Sequence, residues 1–124
     1  MLTALSIRDV VLIEALDLEF GPGLGVLTGE TGAGKSILLD SLGLALGARA
    51  DSALVRHGAA QAAVTATFDP SPAAEQLLDA NGFAVEPGEP LIIRRIVKAD
   101  GGSRAFVNDQ PASAGLLREL GALL

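Results

Sequence analysis

The chain has 124 residues, of which 49% are hydrophobic and 3% aromatic, and its formal net charge is −6. This length fits one compact domain or a piece of a larger one, and the apolar content excludes a disordered chain. The absence of cysteine excludes disulfides and thiolate metal sites. No apolar run approaches the roughly 18 residues of a membrane-spanning helix, so we expect a soluble protein without a membrane partner.

Alternating apolar residues predict strands in the first part of the chain. Residues 1–8 and 10–20 have the pattern of half-buried strands, and Gly21–Gly23 has the composition of a tight turn. A short apolar run over 24–28 then leads into a glycine loop over 29–34.

The rest of the chain predicts a mixture of helices and strands. A helix is predicted over 35–46 and ends at Gly47, where a C-terminal cap is expected. The remaining predicted elements are a loop over 48–61, a strand over 63–69, a helix over 73–80, a hairpin of strands 91–98 and 103–108, and a helix over 114–124.

A phosphate-binding loop is the most specific motif. Residues 29–36 match the pattern G-x-x-x-x-G-K-[ST] at every required position. The glycines let the backbone turn its N–H groups around an anion, and the next helix directs its positive end at the same phosphates. Lys35 can bridge the β- and γ-phosphates, and the Ser36 hydroxyl can bind Mg²⁺. The predicted triphosphate site consists of Gly29, Glu30, Thr31, Gly32, Ala33, Gly34, Lys35 and Ser36.

Segments on both sides of this loop match a known family. Residues 1–8, 11–14 and 18–24 lead into the loop within LTGETGAGKSILLD, and the matching segments after it are 54–58, 94–95 and 103–108. Together these segments resemble the start of the RecN family of bacterial DNA repair proteins, which are SMC-like ATPases. The resemblance implies ATP and Mg²⁺ as cofactors, a role in DNA double-strand-break repair and recombination, and a cytoplasmic, nucleoid-associated location.

The resemblance also implies a fold and a set of partners. The fold is α/β, a P-loop NTPase, specifically the N-terminal lobe of an ABC/SMC-type ATPase head with an antiparallel β-layer and a P-loop strand-helix core. Residues 1–124 would form the N-terminal part of this head, because the sequence contains no Walker B strand, signature motif or coiled coil. The implied partners are the remainder of the same head, a second head in an ATP-dependent dimer, and DNA through the full-length protein. We therefore expect the chain alone to bind ATP without hydrolysing it and to contain no catalytic residue.

Three further positions have both a functional and an ordinary interpretation. Arg49 follows the predicted helix where SMC-type heads have an arginine loop, so the resemblance adds it as a candidate contact to nucleotide or DNA; the alternative is a solvated loop arginine. Asp69 ends the nearest approach to a Walker B strand, but Pro70 follows it, which favours a strand-end residue. His57, beside Arg56, has no evident partner, which favours an ordinary histidine over a catalytic one.

Basic residues are concentrated in the predicted hairpin. Arg94, Arg95, Lys98 and Arg104 are 4 of the 9 basic residues of the chain. Such a cluster can contact DNA phosphates, but it can equally be a solvated strand face. Neighbouring strand residues point to opposite faces, so Arg94 and Arg95 are not expected to share one surface.

Two other classes of protein share the phosphate loop. One is the ATP-binding subunit of an ABC transporter, which usually has an aromatic residue upstream of the loop to stack on adenine. This chain contains no Tyr or Trp, and Phe20 is the nearby candidate. The other is a small self-contained P-loop kinase or GTPase, which would need a Walker B acid or a base-recognition motif that we do not find in the sequence.

Overall fold

An antiparallel sheet is the framework of the computed structural model, which describes residues 2–11, 13–19 and 32–123. Its strands are β1 (Leu2–Val10), β2 (Ile13–Glu19), β3 (Gln61–Phe68), β4 (Leu91–Lys98), β5 (Ser103–Val107) and β6 (Gln110–Ala112). The helices are α1 (Gly32–Ala45), α2 (Pro72–Ala80) and α3 (Ala114–Leu123), and a short 3-10 helix covers Ser52–Leu54.

The strands pair in the order β2-β1-β3-β4-β5-β6, and every pair is antiparallel. This arrangement confirms the predicted antiparallel β-layer. The predicted turn over 21–23 and the predicted strand over 24–28 lie outside the described residues.

The two faces of the sheet differ in burial because side chains alternate along each strand. One face packs under the three helices and forms the core, while the other, which we call the open face, carries partly exposed side chains. The core side chains contributed by the four central strands are Leu5, Ile7, Val10, Ala62, Val64, Ala66, Phe68, Leu91, Ile93, Val97, Ala105 and Val107. Leu44, Leu78 and Leu117 are the corresponding anchors of the three helices.

Local signals explain where several elements begin and end. Ser71 caps α2, because its Oγ accepts a hydrogen bond from the Ala74 N–H at 3.3 Å, and Pro72 occupies the first turn. The β4–β5 hairpin turns at Gly101, which has a φ of 97°, and the Asp100 carboxylate accepts from the Gly102 N–H at 2.8 Å. The predicted helix over 73–80 and the predicted hairpin are confirmed.

The short strand β6 was not predicted from the sequence. It contains only three residues, one of them Pro111, so it has no periodic apolar pattern to detect. The tight turn before it places Asn108 and Asp109 at φ values of 48° and 66°. The Gln110 side chain then holds the loop before β4, because it both accepts from and donates to the Ala84 backbone at 2.9 Å.

Candidate nucleotide-binding site

The second half of the phosphate-loop motif forms the beginning of α1. The helix begins at Gly32, so the backbone of residues 32–36 is helical. The first four N–H groups of a helix have no partner within it, and the helix dipole adds positive potential at that end. This end of α1 is therefore suited to an anion. Residues 29–31 and the side chains of 32–36 lie outside the described part of the chain, so the roles of Lys35 and Ser36 stay predictions.

The sheet determines where this anion-binding end lies. α1 packs on β1, β3 and β4, and its Leu44 and Ala45 side chains are buried there. Ser41 is also completely buried, and its Oγ donates a 2.8 Å hydrogen bond to the Ile37 carbonyl, so the hydroxyl is satisfied within the helix. Because these contacts fix the body of α1, they also fix the position of its first turn.

The other end of α1 closes on a glycine, as predicted. The Ala48 N–H donates to the Gly43 carbonyl at 2.9 Å and the Gly47 N–H donates to the Leu44 carbonyl at 3.1 Å, which is the bond pattern of a Schellman motif. Gly47 has a φ of 98°, in the left-handed region that favours glycine. The helix therefore stops here and the chain turns towards the 3-10 helix.

Two arginines bind the carbonyl oxygens at this end of α1. Arg95 on β4 is 3% exposed, and its Nη1 donates to the Leu44 and Ala48 carbonyls, each at 3.1 Å. Arg118 on α3 donates from Nη1 to the Gly47 carbonyl, also at 3.1 Å. Burial, and then repulsion from Arg118, lower the pKa of Arg95. An arginine nevertheless stays protonated, so both cations stabilise the negative end of the helix dipole.

The role of Arg95 corrects one hypothesis from the sequence. Its side chain is buried beneath α1, so a DNA contact through Arg95 is wrong, whereas the expectation that Arg94 and Arg95 lie on opposite faces is confirmed. Sequence reasoning missed the capping role, although a signal was present. Arg95 stands between Ile93 and Val97 on the apolar side of β4, and a charge buried there requires hydrogen-bond acceptors.

Arg49 lies at the end of α1 opposite to the phosphate loop. It is exposed, and it shares a surface depression with Asp51, Ser52 and Gly101. The 14 residues of α1 give the helix a length of about 21 Å. Arg49 follows the end of this helix by four residues, and its candidate contacts are to nucleotide and to DNA. Both contacts stay predictions.

The interpretation of His57 and Asp69 as ordinary residues agrees with their positions. His57 is exposed and follows Arg56, whose side chain lies 3.9 Å from the Asp9 carboxylate. Asp69 is exposed directly after β3, at the end of an antiparallel strand. Across residues 2–11, 13–19 and 32–123, no three His, Asp or Glu side chains cluster as metal ligands.

Comparisons of sequence show which family this chain belongs to. The family model described as an AAA domain matches residues 4–102. DNA repair protein RecN from Xylella fastidiosa strain Temecula1 is 43% identical over 120 residues, which are 97% of this chain and 22% of the relative. RecN from Haemophilus influenzae is 43% identical over 129 residues, covering 100% of this chain and 23% of the relative. The chain thus spans about a fifth of the length of these curated relatives.

Solved structures with the same fold are SMC and RecF proteins. A structure from work on ATP-driven dimerization and DNA-stimulated activation of SMC ATPases has a TM-score of 0.76 and 22% identity, over 98% of this chain and 78% of that one. The recombination mediator RecF bound to an ATP analogue has a TM-score of 0.73 and 19% identity, over 94% of this chain and 29% of that one. These structures confirm the predicted fold, which is the N-terminal lobe of an ABC/SMC-type ATPase head. Within the described ranges, no helix is long and apolar enough to cross a membrane.

Proposed function

The chain belongs to the AAA domain family, as an N-terminal RecN segment, and on this premise we propose that it is the ATP-binding part of an SMC-like ATPase that acts in DNA double-strand-break repair and recombination. The observation that carries the proposal is the phosphate-loop motif over 29–36, whose second half forms the first turns of α1. The relatives favour this function over the ABC transporter subunit and over the small kinase or GTPase.

The residues of the motif fit a magnesium nucleotide. The backbone N–H groups from Gly29 onwards, and those at the start of α1, would surround the β- and γ-phosphates. Lys35 would add a charge-assisted contact to the same phosphates, and Ser36 would provide a hydroxyl ligand for Mg²⁺. When bound, the metal would neutralise the phosphate charge, while the arginines at the far end of α1 keep the helix in place.

Two partners would complete this site. Walker B and signature motifs are missing from the sequence, so we expect the remainder of the same head to contribute the former and a second head the latter. ATP-driven dimerization is described for a structurally similar SMC ATPase. Arg49 is the candidate within this chain for a further contact to nucleotide or DNA in the completed site, because it is exposed in the loop after α1.

Replacement of Lys35 with alanine tests nucleotide binding. A charge-assisted contact contributes about 1.5–3 kcal/mol, so we expect Lys35→Ala to weaken Mg-ATP binding roughly ten- to a hundredfold. Isothermal titration calorimetry measures both affinities. The other lysine of the chain, Lys98, lies on β4 and provides the matched control, and Lys98→Ala should bind like the unaltered chain. Equal affinities for Lys35→Ala and Lys98→Ala would contradict the proposal.

ATP turnover is expected to be absent from this chain alone. Phosphoryl transfer needs the metal held from a second side and a group that orients water, and we identify neither in the sequence. A phosphate-release assay on the purified chain should therefore give no steady rate at saturating Mg-ATP. A steady rate that Lys35→Ala abolishes would show that the chain contains a complete active site.

A further inference from the structure

The open face of the sheet carries three basic side chains around Ile96. Arg94 and Lys98 lie on either side of Ile96 along β4, and Arg104 pairs with Ile96 from β5. Because Arg95 occupies the buried face, strand alternation places Arg94, Lys98 and Arg104 together on the open face. We call these three residues the basic face.

The strands that carry the basic face contribute no acid to it, and the carboxylate of the hairpin turn, Asp100 beside Lys98, accepts a hydrogen bond from the Gly102 N–H at 2.8 Å. Within the described residues, none of the three side chains forms a salt bridge or a hydrogen bond from its charged group. The open-face residues on β3–β6 are Gln61, Ala63, Thr65, Thr67, Ile92, Arg94, Ile96, Lys98, Arg104, Phe106 and Pro111, and none is acidic. In a chain of net charge −6, an acid-free surface with three cations is an exception.

The acids of the open face lie on the far strand β2. Asp17 and Glu19 pair there with Ser6 and Ala4 of β1, three strand spacings or about 14 Å from β4. Asp17 already accepts hydrogen bonds from Arg8 at 2.8 and 3.0 Å and from Ser6 at 2.6 Å, which together lower its pKa. Arg8 is thus an open-face arginine whose charge is neutralised, unlike those of the basic face.

Arg94 is held in one orientation by an aromatic ring. Its guanidinium carbon lies 4.6 Å above the centre of the Phe106 ring, which is its cross-strand partner on β5. Stacking of this kind orients a guanidinium at a small loss of entropy. The Nε of Arg94 is buried, so its Nη groups would be the donors to phosphate oxygens. The same contact occupies one face of the Phe106 ring, so that face is not available to stack a nucleic-acid base.

The spacing of the three cations suits a polyanion with a regular charge repeat. Arg94 and Lys98 are four residues apart on β4, or about 14 Å, and Arg104 lies beside the midpoint. One strand of duplex DNA carries about four phosphates over this length. We propose that the basic face binds the phosphate backbone of duplex DNA without recognising sequence. This inference rests on the proposed repair function, and the occupied face of the Phe106 ring favours duplex over single strands.

Salt dependence of DNA binding tests the proposal. Fluorescence anisotropy with a labelled 30-base-pair duplex is measured over a salt series for the chain, for Arg94→Ala/Lys98→Ala/Arg104→Ala, and for Arg104→Glu alone. The slope of log K against log salt is negative, and each lost phosphate contact reduces its magnitude by about 0.9. The magnitude should therefore fall by about 2.7 in the triple variant and by at least 0.9 in Arg104→Glu. Circular dichroism shows whether each variant is folded. If the triple variant does not fold, Arg104→Glu alone tests the proposal, because Arg104 is at an exposed position.

Arg8→Ala is the matched control, because it removes an open-face arginine whose charge Asp17 neutralises. Its salt slope should equal that of the unaltered chain. An unchanged slope in folded Arg104→Glu, or an equal loss in Arg8→Ala, would overturn the proposal. Preferential binding of labelled poly-glutamate over the duplex would also overturn it, by showing that the face takes an acidic protein segment. Calorimetry with Mg-ATP separates this result from the proposed function, since Arg104→Glu should keep the affinity that Lys35→Ala loses.

Discussion

Replacement of Gly47 with alanine is expected to lower the free energy of unfolding by about 2–5 kcal/mol. The left-handed φ of 98° is unfavourable for alanine by roughly 1–2 kcal/mol. In addition, a Cβ at this position would lie 2.6 Å from the Ala114 carbonyl oxygen and 2.7 Å from the Arg118 nitrogen. Both are backbone atoms of α3, so the helices must move apart, at a further loss of about 1–3 kcal/mol.

Gly82 provides the control for the backbone conformation alone. It follows α2 with a φ of 82°, and a Cβ there would meet no atom within 4 Å. Gly82→Ala should therefore lose only about 1–2 kcal/mol. Urea unfolding followed by circular dichroism gives both values. Equal losses would show that the close approach of α3 to Gly47 is not required for stability.

Replacement of Arg95 with alanine is expected to lower the free energy of unfolding by about 2–4 kcal/mol. The variant loses three charge-assisted hydrogen bonds, one of them to the Ser103 Oγ, and leaves the Leu44 and Ala48 carbonyls without these donors. Relief from burying the guanidinium offsets part of this loss, because burial is the main cause that lowers the pKa of Arg95. Chemical unfolding of the variant measures the difference.

The neighbouring arginine separates this role from a general effect of charge. Arg94→Ala removes the same side chain from the open face of the same strand, where its guanidinium stacks on Phe106. Its loss should be about 1 kcal/mol or less. If Arg94→Ala destabilises the chain as much as Arg95→Ala, the hydrogen bonds at the end of α1 contribute nothing specific.

Most secondary-structure elements followed from local pattern. The helix predicted over 35–46 is α1, but it begins three residues earlier, at Gly32, inside the predicted glycine loop. Gly47 ends it because only glycine adopts the left-handed conformation without penalty. The hairpin of β4 and β5 was predicted from the Ala99–Gly102 turn between two predicted strands. The loop predicted over 48–61 differs, since it contains a 3-10 helix whose N-cap is Asp51. That helix has three residues, too few for a periodic signal.

The sequence alone determined the family, the phosphate-loop motif and the alternation of buried and exposed strand residues, because each depends on residue types at short spacings. It could not determine what Arg95 contacts, because the Leu44 and Ala48 carbonyls are 51 and 47 residues away along the chain. Nor could it show that Arg94, Lys98 and Arg104 share a surface free of acids, since that follows from the strand order and register. The tertiary structure decides contacts of this kind, because packing brings segments together that are distant in sequence. Burial then stabilises a charged side chain only where hydrogen-bond acceptors surround it.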